Sequence, residues 1–210
     1  MATGLERAAS RWPALHRHLL AVDELDVELE WLDHTPAKSL RVGGRLLTSC
    51  LDREGEARLQ ASTVPRGSDS ASVYGLAFGD LPRELLARPE LKKLKVVLLN
   101  CPLDRLLLSR DGHEWLDDER VDLSVGSGEA GVELPCAVSI GALKASSSAC
   151  GHLKEAIVLV LNQPFQATYL SGVAEQERRQ IELNRDHVTT KRSELDDLQC
   201  GVRRQTFPTE

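Results

Sequence analysis

No apolar run in this sequence approaches the roughly 20 residues that a membrane-spanning helix needs, so no membrane partner is expected. Residues 1–20 carry Glu6, Arg7, Arg11, His16, Arg17 and His18, which is not the pattern of a signal peptide. The expectation is a cytoplasmic protein. A basic excess is also missing: 26 Lys and Arg stand against 32 Asp and Glu, a formal charge of −6. Phosphate backbones call for clustered cations, so nucleic acid is not an expected partner. The pairs Lys92-Lys93, Arg178-Arg179 and Arg203-Arg204 read as solvated faces. The cysteines, Cys50, Cys101, Cys136, Cys150 and Cys200, are odd in number and none sits in a Cys-x-x-Cys pair. Neither a disulfide framework nor a zinc site is expected. His113 and His152 have no partner at metal-ligand spacing, and Ser146-Ser147-Ser148 lacks the Gly-x-Ser-x-Gly elbow of a nucleophilic hydrolase. No catalytic residue and no metal ligand is therefore assigned.

What remains is a sheet pattern. Ser72–Asp80, Lys95–Asn100 and Arg120–Gly126 are short β-type segments about twenty residues apart, with helical or turn signals between them. Cys136–Ile140 reads as a fourth, with Pro135 at its start, where a missing N–H does no harm. Apolar strands alternating with helices imply an α/β fold with a Rossmann-like parallel sheet. Ahead of it, residues 3–20 read as one helix through Leu5, Ala8, Trp12, Leu15 and Leu19. Val27, Leu29 and Trp31 alternate as in a half-buried strand, and Gly43-Gly44 between apolar runs suggests a hairpin turn. Residues 26–48 are thus expected to form a small antiparallel element. A short helix follows at Asp52–Ala57.

Residues 65–70 read as a loop, which divides the chain into three expected parts. Residues 1–64 form an N-terminal helix and β-hairpin module. Residues 65–165 form the Rossmann-like domain, closed by an amphipathic helix at 149–163. Residues 166–210 form a C-terminal helical tail. In the tail Ile181, Val188, Leu195 and Val202 recur every seven residues on an otherwise polar stretch, a thin stripe suited to docking a partner.

Gly75 and Gly79 lie in the turn between the first strand and the helix Leu81–Arg88. Glycines there let backbone amides approach a ligand, and a helix start favours an anion. The dinucleotide fingerprint is broken, however, because position 77 is Ala, and Asp80 at the helix start would repel a phosphate. The other reading is a tight turn with Asp80 as helix cap. Asn100 ends the second strand where nucleotide-binding folds carry an acid for ribose hydroxyls. It could bond a hydroxyl, or cap the helix Leu103–Leu108. Gly75, Gly79 and Asn100 are the candidate ligand-binding residues, and no cofactor is assigned. Asp117 and Asp118 could form a carboxylate pair or a solvated turn.

The ordered set of segments resembles a known family. It runs from Arg11-Trp12-Pro13-Ala14-Leu15 through Leu46-Leu47-Thr48-Ser49 and Asp52-Arg53-Glu54-Gly55-Glu56-Ala57 to Val73-Tyr74-Gly75-Leu76-Ala77-Phe78-Gly79. Val96-Val97-Leu98-Leu99-Asn100 and Trp115-Leu116-Asp117-Asp118-Glu119-Arg120-Val121 complete it. Over about residues 8–165 this is similar to the N-terminal domain of the motility accessory factors. These are bacterial flagellin glycosyltransferases that load nonulosonic acids such as pseudaminic acid onto Ser and Thr. In that family transfer is attributed to a central domain beginning near a Gly-Pro-Ser-Leu motif, which these 210 residues do not contain. The resemblance therefore implies an accessory or binding domain for flagellin glycosylation without the transferase. Its expected partner is flagellin or a transferase, met by the C-terminal helix. The alternatives are an S-adenosylmethionine-dependent methyltransferase-like enzyme and a nucleotide-sugar-binding domain, either of which would use the first strand turn.

Overall fold

The computed structural model describes residues 2–127 and 131–162. The chain divides into two compact units, Met1–Val158 and Leu159–Glu210. The account that follows concerns the first. The expected tail helix, with its heptad stripe, lies outside the described residues.

The parallel sheet is present. β4 (Ser70–Tyr74), β5 (Lys93–Leu98), β6 (Val121–Val125) and β7 (Cys136–Val138) pair in the order β6-β5-β4-β7, every pair parallel. In order of appearance this is 3-2-1-4, the Rossmann arrangement, and the strand order reverses between β4 and β7. Ala71, Val73, Leu94, Val96, Leu98, Val121, Leu123 and Ala137 line one face and belong to one hydrophobic core. Against that core pack Leu85 of α4 (Asp80–Leu86) and Leu103 and Leu107 of α5 (Cys101–Leu108). The other face is polar at its start, with Ser72, Lys95 and Asp122 in register across three strands.

Residues 2–64 close both edges of this sheet. The sequence predicts one helix over 3–20, and the structure corrects it to two, α1 (Gly4–Arg11) and α2 (Pro13–Ala21). Pro13 forces the break, because a residue before proline is driven out of the helical region, and Trp12 sits at φ −130°. The break turns Arg11 and Trp12 toward β6. Arg11 donates to the carbonyls of Leu116, Asp118 and Val121, and the Trp12 indole donates to Asp122. At the opposite edge, Thr63 follows α3 (Arg53–Ala61) and donates to the Cys136 carbonyl of β7 at 2.9 Å.

The antiparallel element is also present: β1 (Leu29–Leu32), β2 (Ser39–Val42) and β3 (Arg45–Leu46). Gly43 and Gly44, at φ +55° and +76°, make the two-residue turn. Trp31 of β1 meets Phe78 edge to face at 6.3 Å, with the Arg110 guanidinium over one ring and Arg53 over the other. Residues 65–70, where the sequence suggests a boundary, form a turn into β4, and residues on both sides of it share one core. α6 (Ile140–Lys144) and a helix beginning at residue 151 complete the unit, the latter burying Leu153 and Ile157.

Arg11 makes bonds that no other side chain could replace in that geometry. Arg11→Ala should lower unfolding free energy by about 2–3 kcal/mol, because it strands partly buried carbonyls. Arg11→Lys should recover less than half of the loss, since an ammonium lacks the planar fork. Urea denaturation of the three proteins measures this, and an Arg11→Ala midpoint equal to that of the parent chain would contradict it.

Candidate functional site

In open parallel sheets ligands bind outside the carboxyl ends of the strands, where the strand order reverses. Here that place is the end of β4 and β7. β4 stops at Tyr74, and residues 75–79 form the expected turn into α4. Gly75 and Gly79 lie at φ +92° and +80°, a region open to glycine at little cost, and Ala77 is also left-handed at φ +44°. The turn lies against the protein itself. A Cβ on Gly75 would stand 2.5 Å from the Cβ of Ala142 in α6, and one on Gly79 would collide with the indole of Trp115. A Cβ on Gly141 would collide with the backbone of Leu47. The Ser139 amide, which opens α6, bonds the Tyr74 carbonyl at 3.0 Å.

The start of α4 already holds an anion. Gly79 occupies the cap position, so Asp80 is the first helical residue, not the cap. Arg53 grips both its oxygens, at 2.7 and 2.9 Å, and Arg83 bonds one of them. The Asp80 side chain is only 12% exposed, so this pair is shielded and fixes α3 to α4. At the start of α4 the Asp80 carboxylate is thus neutralised by two arginines of the chain itself.

Asn100 is the cap of α5. Its Oδ1 accepts from the Leu103 amide and its Nδ2 donates to the Ala145 carbonyl at 2.6 Å, so both ends of the side chain are engaged. One turn on lies a residue that pattern reading missed. Asp104 is buried, and its carboxylate accepts from the Asn100 amide at 3.0 Å. Burial pushes its pKa up to about 7, while the Asn100 and Leu99 amides oppose that rise. The only sequence signal is an acid in the first turn of an apolar helix, which is ordinary.

The remaining candidates are dispersed. Asp117 pairs with Arg7 and Asp118 with Arg120, so the two carboxylates serve different ion pairs. Arg120 holds Asp118 well below the usual carboxylate range. His113 is buried, its Nε2 donates to the Leu107 carbonyl, and burial lowers its pKa. His152 lies exposed in the helix that begins at residue 151. Among the described residues no group of three metal-ligating side chains is assembled, and no helix is long and apolar enough to cross a membrane.

No family model matches this chain, and no curated protein does. Among solved structures it is similar to the spermidine synthase of Thermotoga maritima, at 13% identity and a TM-score of 0.43, over 62% of this chain and 50% of that one. A spermidine synthase in complex with the transition-state analogue AdoDATO matches at 14% and 0.44, over 62% and 48%. The chain spans about half the length of these two proteins.

Two expectations follow from the site. Gly75→Ala should cost about 2–4 kcal/mol, from the clash with Ala142 and the positive φ. Adding Ala142→Gly should relieve the clash, so the double variant is more stable than the summed single losses by at least about 1 kcal/mol. Simple additivity in chemical denaturation would show that the Ala142 contact is not what position 75 protects.

The second concerns Asp104, whose folded pKa of about 7 stands above an unfolded value of about 3.9. The stability it contributes is complete below about pH 4 and is lost as pH rises to about 7. Asp104→Asn keeps an acceptor for the Asn100 amide and removes the titration. Relative to this variant the parent chain should lose stability, by a few kcal/mol, across that interval and no further above it. A difference between the two proteins that does not vary with pH would contradict the assignment.

Proposed function

We propose that this chain acts by binding, as an accessory domain of flagellin glycosylation, with sugar transfer carried out elsewhere. One structural observation most directly supports a role without chemistry at the strand crossover. Where the strand order reverses, the chain's own side chains fill the place that a nucleotide or substrate would take in a related fold. Ala142 closes on Gly75, Trp115 lies on Gly79, and Asp80 with its two arginines occupies the helix start. Asn100 is engaged at both ends as a cap. The link to flagellin comes from the resemblance of residues 8–165 to the N-terminal domain of the motility accessory factors.

On this reading the partner is flagellin or its transferase, and the stripe of Ile181, Val188, Leu195 and Val202 supplies the contact. In the organism of origin, disrupting the gene should remove the sugar mass from flagellin. Restoring the gene with Ile181→Asp and Val188→Asp should fail to return it, while the purified variant keeps the melting temperature of the parent chain. Intact-protein mass spectrometry of flagellin reads the result. Flagellin of unchanged mass after disruption, or methyl or sugar transfer catalysed by the purified 210-residue chain alone, would contradict the proposal.

A further inference from the structure

A cavity lies at the carboxyl edge of the sheet, beside the filled turn. It occupies about 350 Å³ outside the ends of β5 and β6. Leu98, Leu99 and Val125 form its strand side, and Val22, just past α2, faces them. The strand ends are held by the Gly126 amide on the Leu98 carbonyl and by the Ser147 amide on the Leu99 carbonyl, at 2.8 and 2.9 Å. The strand side of the cavity is thus fixed by backbone hydrogen bonds, while Asp23, Ser147 and Ala149 join its lining from outside the strands.

Three features define what it could hold. The volume is at the small end of the roughly 300–1,000 Å³ range of ligand pockets, enough for one nucleoside-sized body and too small for a dinucleotide. No Lys or Arg lines it among the described residues, so a phosphate would go unpaired. His18 and Asp23 stand at its exposed mouth, and a carboxylate there accepts from a hydroxyl or an ammonium. Cys101 and Cys150 also line it. Cys101 is held protonated by burial, with a pKa of about 11, and the Cys150 thiol donates to the Gly126 carbonyl. Both are lining groups, not nucleophiles.

We propose that this cavity is a binding site for an uncharged or cationic molecule of nucleoside size, with an apolar ring body and a hydroxyl or amine that reaches Asp23. The site is distinct from the Gly75 turn and independent of the protein-partner reading.

Calorimetric titration of the full chain with adenosine, S-adenosylmethionine, ADP and UDP-N-acetylglucosamine tests it. Adenosine or S-adenosylmethionine should bind one to one, and both phosphate-bearing probes at least tenfold more weakly. Asp23→Asn should weaken the bound probe about tenfold. Ala149→Trp and, separately, His18→Trp should block the mouth and abolish binding, with two positions used so that one misfolded variant does not decide the matter. Absence of saturable binding by all four probes overturns the proposal. So does ADP binding as tightly as adenosine, or binding that survives in both tryptophan variants.

Discussion

Backbone close approach at the carboxyl edge of the parallel sheet is the constraint on which the rest of the molecule depends. Gly75 lets α6 close on the end of β4, and Gly141 lets the backbone after β3 press on α6. Neither contact has room for a methyl group. Together they join the antiparallel element, the sheet and α6 into one core, and they use up the crevice that an open α/β sheet normally leaves for a ligand. A fold associated with nucleotide chemistry is thereby packed shut at its usual site.

Charge follows the same arrangement. A helix start attracts an anion, and in this protein Asp80 answers that demand from within, neutralised by Arg53 and Arg83. The ion pair also ties α3 to α4, so a feature suited to ligand capture is spent on holding elements together. Arg11 and Arg120 act in a similar way, donating to backbone carbonyls across the edge of β6 and the end of α4. Arginine serves here as a staple because its planar fork satisfies several acceptors at once.

Much of this was legible in the sequence, for identifiable reasons. Strands buried in a parallel sheet read as apolar runs, so β4 to β7 stand out, although most of their ends shift by one or two residues. Gly43-Gly44 marks its turn because few other pairs adopt φ > 0 twice. Asn100 shows as a cap through its side-chain chemistry, and the acids at Asp52–Glu56 mark the start of α3, of which Asp52 proves to be the cap. Pro13 was a visible signal for the split between α1 and α2, overridden by the apolar spacing around it. The state of the site was not legible. Gly75 in an open crevice and Gly75 under Ala142 give the same local pattern, and the partners are 67 residues apart. Asp104 and the cavity at β5 and β6 are likewise products of burial and distant contacts, which no short motif encodes.

Amide hydrogen exchange over residues 75–80 tests the central claim most directly. If the turn is sealed by its own packing, the Gly75 and Gly79 amides, bonded to Val97 and Leu76, exchange slowly in the free protein. Adding UDP-N-acetylglucosamine should leave their rates unchanged. Fast exchange at these amides in the free chain, slowed when UDP-N-acetylglucosamine is added, would show an open crevice that takes a ligand and would contradict the account.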